Sequence, residues 1–280
     1  MIKECILTFD IEEPEHMNIG SAVNFSDNAE NFQAGLSKIL ALLKKNNISA
    51  TFFVVAELGL KYQELIANIV ADGHELALHS LNHKLIYKMT PEEFESDLTD
   101  GKNILEKISK KPLLGYRAPS WSVSKKHTPW FWEILSKHGF KYSSSLFPIW
   151  TPLYGSSGSQ AEPHNIKTSC GSILEIPVPA VRFILKGPFS GGVYFRILPD
   201  FVRTFFERLW IKRGLPLMYY FHLRDIGLEI PPDELSYLSR LVNYKGSISA
   251  QKRFERLIAR GQFISFDKIL GQLKIIIKKE

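Results

Sequence analysis

Two cysteines, Cys5 and Cys170, in 280 residues leave no disulfide framework to build, and both read as reduced, buried thiols. No apolar stretch approaches the ~18 residues that a membrane-spanning helix needs. The opening Met-Ile-Lys-Glu-Cys-Ile-Leu-Thr-Phe-Asp lacks the apolar core, basic lead and small-residue cleavage site of a secretory leader. The simplest expectation is a cytoplasmic protein, at most touching the inner membrane face. A compact basic run interleaved with aromatics is also missing, which sets nucleic acid aside as a partner. What remains is ordinary globular usage, 45% hydrophobic and 23% charged, which excludes disorder. The net charge of +6 favours anionic surroundings such as phosphates, acidic glycans or a membrane face.

Along the chain, strand and helix patterns alternate. Residues 5–9 are apolar and β-prone and run into an acidic cluster, and Phe32, Leu36, Ile39, Leu40 and Leu43 then recur at helical spacing. Ala-Thr-Phe-Phe-Val-Val at 50–55 is the short run of a strand buried on both faces. A helix over 63–71 and Gly73 lead to a strand ending near His79. Thr90-Pro91-Glu92-Glu93 predicts an N-cap, a first-position proline and an acidic first turn, and that helix reaches about residue 107. Further strands are expected at 113–117, 174–178, 217–222 and 263–266, and helices near 200–212, 233–244, 249–260 and 267–278. Such alternation implies an α/β fold around a parallel sheet or barrel. Pro148, Pro152, Gly155, Gly158 and Pro163 break the rhythm, so 146–172 reads as a long functional loop.

Chemistry concentrates where the strands should end. His79 and His83 are four apart, and a helical turn between them would bring both imidazoles to one metal. Asp10 and Glu12 alternate at the end of the first strand and face one side, with Glu13 beside them. A histidine pair and an acidic pair, each closing a strand, fit a two-His, one-carboxylate site with open positions for water. Arg117 after a third strand has the planar fork to orient Asp10, or it snorkels to the surface. Trp121 either walls a pocket or only packs, and His222 at a fourth strand end suits a general acid.

In their order, Thr8-Phe9-Asp10, His79-x-x-x-His83, Arg117-x-Pro119-x-Trp121 and His222 resemble the polysaccharide deacetylase (NodB-homology, carbohydrate esterase type) family. Thr51-Phe52-Phe53-Val54 and Gly73-His74-Glu75 fall at that family's similar segments. Gly139-Phe140-Lys141-Tyr142, Ser144 to Pro148, Gly191 to Arg196 and the stretch from Val242 to Phe263 resemble a subgroup with a C-terminal extension. The resemblance implies a single distorted (β/α) barrel of about seven strands over 1–280, with 146–200 a loop-rich insertion and 230–280 a helical extension. It also implies hydrolysis of an N-acetyl group on a sugar of a surface glycan or its lipid-linked precursor. Asp10 would be the base, His222 the acid and Arg117 the tuner of Asp10. His79, His83 and Glu12 would hold a divalent metal that activates water, zinc by expectation and cobalt or nickel otherwise. Trp121 and Pro119 would contact substrate, with Trp150 and Tyr154 of the long loop shaping a sugar lid.

Two departures qualify this. Ile11 stands where many members carry a second aspartate, so the carboxylate ligand falls to Glu12 or Glu13, with Glu12 favoured. Ser143 replaces the aspartate that supports the catalytic histidine, which leaves His222 less supported unless Asp225 or another acid substitutes. The alternatives are a weakly active or non-catalytic glycan-binding protein, or an enzyme for an N-formyl sugar or a small cyclic amide.

Overall fold

In this computed structural model the described residues are 5–17, 29–149, 155, 158–182, 186–233 and 235–277; Trp150 and Tyr154 lie outside them. In chain order the first half contains β1 (Cys5–Ile11), α1 (Ala29–Lys45), β2 (Thr51–Val54), α2 (Glu57–Lys61), α3 (Gln63–Ala71), β3 (Glu75–Leu78), α4 (Pro91–Ser109), β4 (Gly115–Tyr116), α5 (Phe131–Lys137) and β5 (Tyr142–Ser143). The second half adds β6 (His164–Thr168), β7 (Gly171–Glu175), β8 (Ala180–Arg182), β9 (Lys186–Pro188), α6 (Gly192–Ile197), α7 (Asp200–Lys212) and β10 (Met218–Phe221). It closes with α8 (Tyr237–Tyr244), α9 (Ser247–Arg260), β11 (Phe263–Ile264) and α10 (Phe266–Ile277).

The strands β10-β1-β2-β3-β4-β5-β7 pair in that order, all parallel, with β6 antiparallel at the β7 edge and β11 beside the start of β1. Among the described residues eight parallel strands, β11 included, form a curled sheet that agrees with the expected distorted barrel. Alternate side chains separate into two clusters. Leu7, Phe9 and Ile11 of β1 pack outward with Phe52, Leu78, Tyr116 and Phe221 against the helices. Ile6, Phe53, Ala77, Tyr142, Leu174, Met218 and Tyr220 meet inside the curled sheet, and Phe266, Ile269 and Leu273 of α10 join them. Both faces of these strands are therefore apolar, which is why the sequence reads as continuous runs rather than alternation.

Local signals explain the best-matched elements. Thr90 caps α4, its hydroxyl accepting from Glu93 N while Glu93 accepts from Thr90 N, a capping box worth about 1 kcal/mol. Two expectations are corrected. Residues 164–172, read as loop, belong instead to the hairpin β6–β7; β6 is an edge strand whose polar, alternating burial hides it among Ser, Gly and Pro. Cys170 is exposed, not buried, because it sits at the turn of that hairpin.

Candidate active site

The parallel strands deliver polar side chains to one end. Thr8 and Asp10 point inward on β1 with Glu12 just beyond, His79 follows β3, Arg117 follows β4 and His222 follows β10. The β1–β10 register, Ile6 beside Met218 and Phe9 beside Phe221, brings residues more than 200 positions apart face to face. Carboxyl ends of parallel strands are where such folds place chemistry.

Glu12, His79 and His83 are buried, and one ligand atom from each lies within 4.8 Å of the others. Glu12 Oε2 is 2.6 Å from His83 Nε2 and 3.9 Å from His79 Nε2. The short approach brings Glu12 Oε2 and His83 Nε2 to one point, with His79 Nε2 beside them. His79 Nδ1 lies 2.8 Å from the Arg117 carbonyl. A carbonyl only accepts, so Nδ1 carries the proton and Nε2 offers its lone pair to the cluster. Burial, with His83 adding to it, pushes His79 down to about 4 and keeps it neutral. The donor set therefore fits a divalent ion. The segment between the histidines is not helical as expected. Ser80 and His83 take left-handed φ values of 68° and 60°, a turn that swings both rings inward to 5.0 Å between centroids. Ser120 and Trp121 are left-handed as well, and such strain gathers at functional sites.

Glu12 rather than Glu13 enters the cluster. Glu13 is turned aside by Tyr62 OH at 2.6 Å and Lys61 Nζ at 2.8 Å. The longer arm of Glu12 is anchored by Arg224 Nη2, 2.6 Å from Oε1. Burial would raise the Glu12 carboxyl, but His83, Arg224 and His222 hold it well below the usual range. Neither Arg224 nor its role was visible in the sequence, because the pairing joins residues 212 positions apart.

Arg117 is fully buried. Its Nη1 donates to Asp10 Oδ1 at 2.6 Å and Thr8 Oγ1 at 3.0 Å, Nε donates to Ser144 O at 3.2 Å, and the guanidinium lies 4.0 Å from the Phe53 ring centroid. Asp10 Oδ2 is left facing His222 Nε2 at 3.9 Å. His222 Nδ1 lies 2.8 Å from Asp225 Oδ2, which also accepts from His222 N. Asp225 Oδ1 is paired at 3.0 Å with Arg196 Nε, and Arg196 reaches the carbonyls of Val242 and Lys245 on the C-terminal helices. Burial and Arg224 would lower His222, but Glu12 and Asp225 raise it. Burial would raise Asp225, yet the His222 hydrogen bond and the charges of His222, Arg196 and Arg224 hold it at about 2.

Ser143 does not take part. Tyr142 and Ser144 face the interior, whereas the Ser143 hydroxyl bonds Ser145 on the opposite face. Asp225 stands in the position to support His222 that the sequence comparison had assigned to residue 143.

These groups open on a cavity of about 390 Å³, walled by Trp121, Tyr220, Tyr87, Met17 and Leu85, by Gly192 and Val193 of α6, and by Leu238, Ser239, Val242 and Asn243 of α8. Trp121 is braced by Phe147 and Tyr220, with ring centroids 5.3 and 4.9 Å away. Gly192 has φ 52°, and a Cβ there would lie 2.9 Å from the Tyr220 ring. Pro119 is buried in the turn behind the wall and does not line the cavity.

The profile of the polysaccharide deacetylase family matches residues 3–143, and a domain of unknown function (DUF3473) matches residues 144–271. The chain belongs to the polysaccharide deacetylase family, whose members are generally metal-dependent. Several of its relatives are named deacetylases, hydrolases of carbon–nitrogen bonds in sugars. A peptidoglycan deacetylase of Helicobacter pylori is 30% identical over 180 residues, 57% of this chain and 60% of that protein. A peptidoglycan-N-acetylglucosamine deacetylase of Bacillus cereus is 32% identical over 87 residues, 31% of this chain and 40% of that protein. This chain thus spans less than two thirds of either relative. A solved Mycobacterium smegmatis protein assigned to the polysaccharide deacetylases shares the fold over 98% of this chain and 91% of its own, with TM-score 0.63 and 20% identity. An allantoinase, Puue, shares it over 92% and 85%, with TM-score 0.59 and 17% identity. Among the described residues no helix is long and apolar enough to cross a membrane.

Proposed function

We propose that the chain is a metal-dependent amidase that removes the N-acetyl group of an amino sugar in a surface glycan or its lipid-linked precursor. The observation that supports this most directly is the buried Glu12–His79–His83 cluster, opening on the same cavity as Asp10 and His222. Two imidazoles and one carboxylate suit zinc, with cobalt or nickel as substitutes. A bound ion would supply Lewis-acid activation of water and polarisation of the amide carbonyl.

The chain's own residues then divide the proton work. Asp10, clamped through Oδ1 by Arg117, keeps Oδ2 open to the cavity as the proton acceptor. His222, held at Nδ1 by Asp225, presents Nε2 to the same space. An amine leaves poorly until it is protonated, so His222 holds the proton that the departing nitrogen needs. Trp121 and Tyr220 form the apolar wall against acyl methyl and sugar ring. Trp150 and Tyr154, outside the described residues, belong to this proposal as sugar-stacking residues.

Metal content of the purified chain beside His79→Ala and His83→Ala tests the reading, together with acetate release from N-acetylglucosamine oligomers. We expect about one ion per chain, lost in both variants, and acetate release only by the loaded protein. No metal uptake after incubation with zinc, cobalt or nickel would favour the non-catalytic glycan-binding alternative.

A further inference from the structure

The barrel and the C-terminal half differ sharply at their surfaces. Apart from Leu60 and Tyr87, every large apolar side chain that the described residues leave exposed lies between Ile197 and Ile248. Exposed apolar side chains gathered on one face mark an interaction site. On α7, Phe201 is 77% exposed, and Phe205 and Leu209 follow at successive four-residue steps on the same face. The opposite face buries Arg203 and Trp210. Beyond Asp200, the exposed charges of α7 and its C-terminal turn are Arg208, Lys212 and Arg213, all positive. At 3.6 residues per turn, Arg208 and Lys212 share an arc of about 100° with Phe201, Phe205 and Leu209. Arg213 is engaged by Glu162.

We propose that this face docks the protein on an anionic phospholipid bilayer. Phe201, Phe205 and Leu209 would enter the headgroup boundary, while Arg208 and Lys212 meet lipid phosphates. A helix with bulky apolar residues and basic residues on one presenting face suits that interface, where the lysine and arginine stems lie along apolar surface and their heads remain in water. Self-association fits less well, because a two-fold contact centred on this face brings Arg208 and Lys212 against their own copies. The charge of the stripe therefore selects the occupant.

The same surface leads to the cavity. Gly192, Val193 and Arg196 of α6 line it, and α6 runs through Leu198 and Pro199 into α7. Leu238 and Val242 of α8 both line the cavity and stand exposed at 67% and 50%. Docking would bring the cavity mouth near headgroup level, so the substrate class is the sugar of a lipid-anchored glycan, for which soluble oligomers stand in at the active site. That last step rests on the deacetylase reading; the docking does not.

The test is co-sedimentation of the full chain with vesicles of phosphatidylcholine alone or with phosphatidylglycerol, at low and high salt. Binding is expected only with phosphatidylglycerol and should weaken with salt. At about fivefold per basic residue, Arg208→Gln with Lys212→Gln should weaken it on the order of 20-fold. Phe201→Ser with Phe205→Ser should weaken it at least ~tenfold while leaving thermal melting unchanged, since both side chains are exposed. Absence of vesicle binding, or binding indifferent to the phenylalanine pair, overturns the proposal. So does a solution dimer that dissolves in Phe201→Ser/Phe205→Ser with no affinity for lipid. Metal content and acetate release from soluble oligomers, measured on the same preparations, separate the two readings. A metal-free chain that binds vesicles defeats the deacetylase, and an active enzyme that ignores them defeats the docking.

Discussion

Replacing Arg117 with methionine isolates the interaction on which the site geometry depends most. Arg117 and Asp10 are 0% and 2% exposed at the side chain and meet at 2.6 Å, so neither has water to fall back on. Arg117→Met keeps much of the volume but strands a buried carboxylate, at a cost of about 3–5 kcal/mol. Asp10→Asn strands the guanidinium and should cost a similar amount, reduced by the Thr8 and Ser144 contacts that Arg117 retains. With both replaced, no charge is left unpaired, so the double variant should lose roughly 2–4 kcal/mol less than the sum of the singles. The assay is equilibrium unfolding in urea with chelator present, because a bound ion would add its own linkage to every variant. Additivity within ~0.5 kcal/mol would show that the pair is not coupled and would refute the reasoning.

The remaining predictions concern the supports around that pair. Asp225→Asn removes the charge that fixes His222 at 2.8 Å, and should lower kcat on the order of 100-fold while metal content holds; loss of metal instead would place Asp225 in the metal site. Ser143→Asp should yield no gain in acetate release and a lower melting temperature, because the new carboxylate would be buried near Glu175 on the far side of the strand; a rise in activity would restore residue 143 as the partner of His222. Glu75 is buried at the opposite end of the barrel, and burial, with Asp267 beside it, pushes its carboxyl up from 4.5 to about 7. Below 4.5 it is protonated folded or unfolded; between 4.5 and 7 the unfolded chain loses the proton first, so stability falls as pH rises. Above 7 the loss is complete, at about 3 kcal/mol. Glu75→Gln should flatten melting temperature between pH 5 and 8, its amide donating to the Tyr142 hydroxyl and its oxygen accepting from Thr51 and Asp267 N. An unchanged slope in that variant would assign the pH dependence to other groups.

What the sequence made legible followed the range of the interactions. The Thr90 cap, the run at β2 and α3 over Gln63–Ala71 are local, so residue order alone locates them. The two-residue strands β4 and β5 carry too few side chains for a period; β4 could be placed because 113–117 is apolar around it, while β5 was not read as a strand. At the site, His79, His83, Asp10 and His222 were legible as polar residues interrupting apolar strand ends. The left-handed turn at Ser80 and His83 was not, since no glycine marks it and the surrounding packing must hold it. Arg224 escaped because its partner Glu12 lies across the β1–β10 register, and no local spacing encodes a register between distant strands. Asp225 is the instructive case between these extremes. It lies three residues after His222, where the aspartate closes the short turn by accepting from both His222 N and Nδ1. That is a local capping geometry, which His-x-x-Asp after a strand can form by itself. Reading Ser143 as a defect gave weight to a family position over a bond that the sequence itself could form.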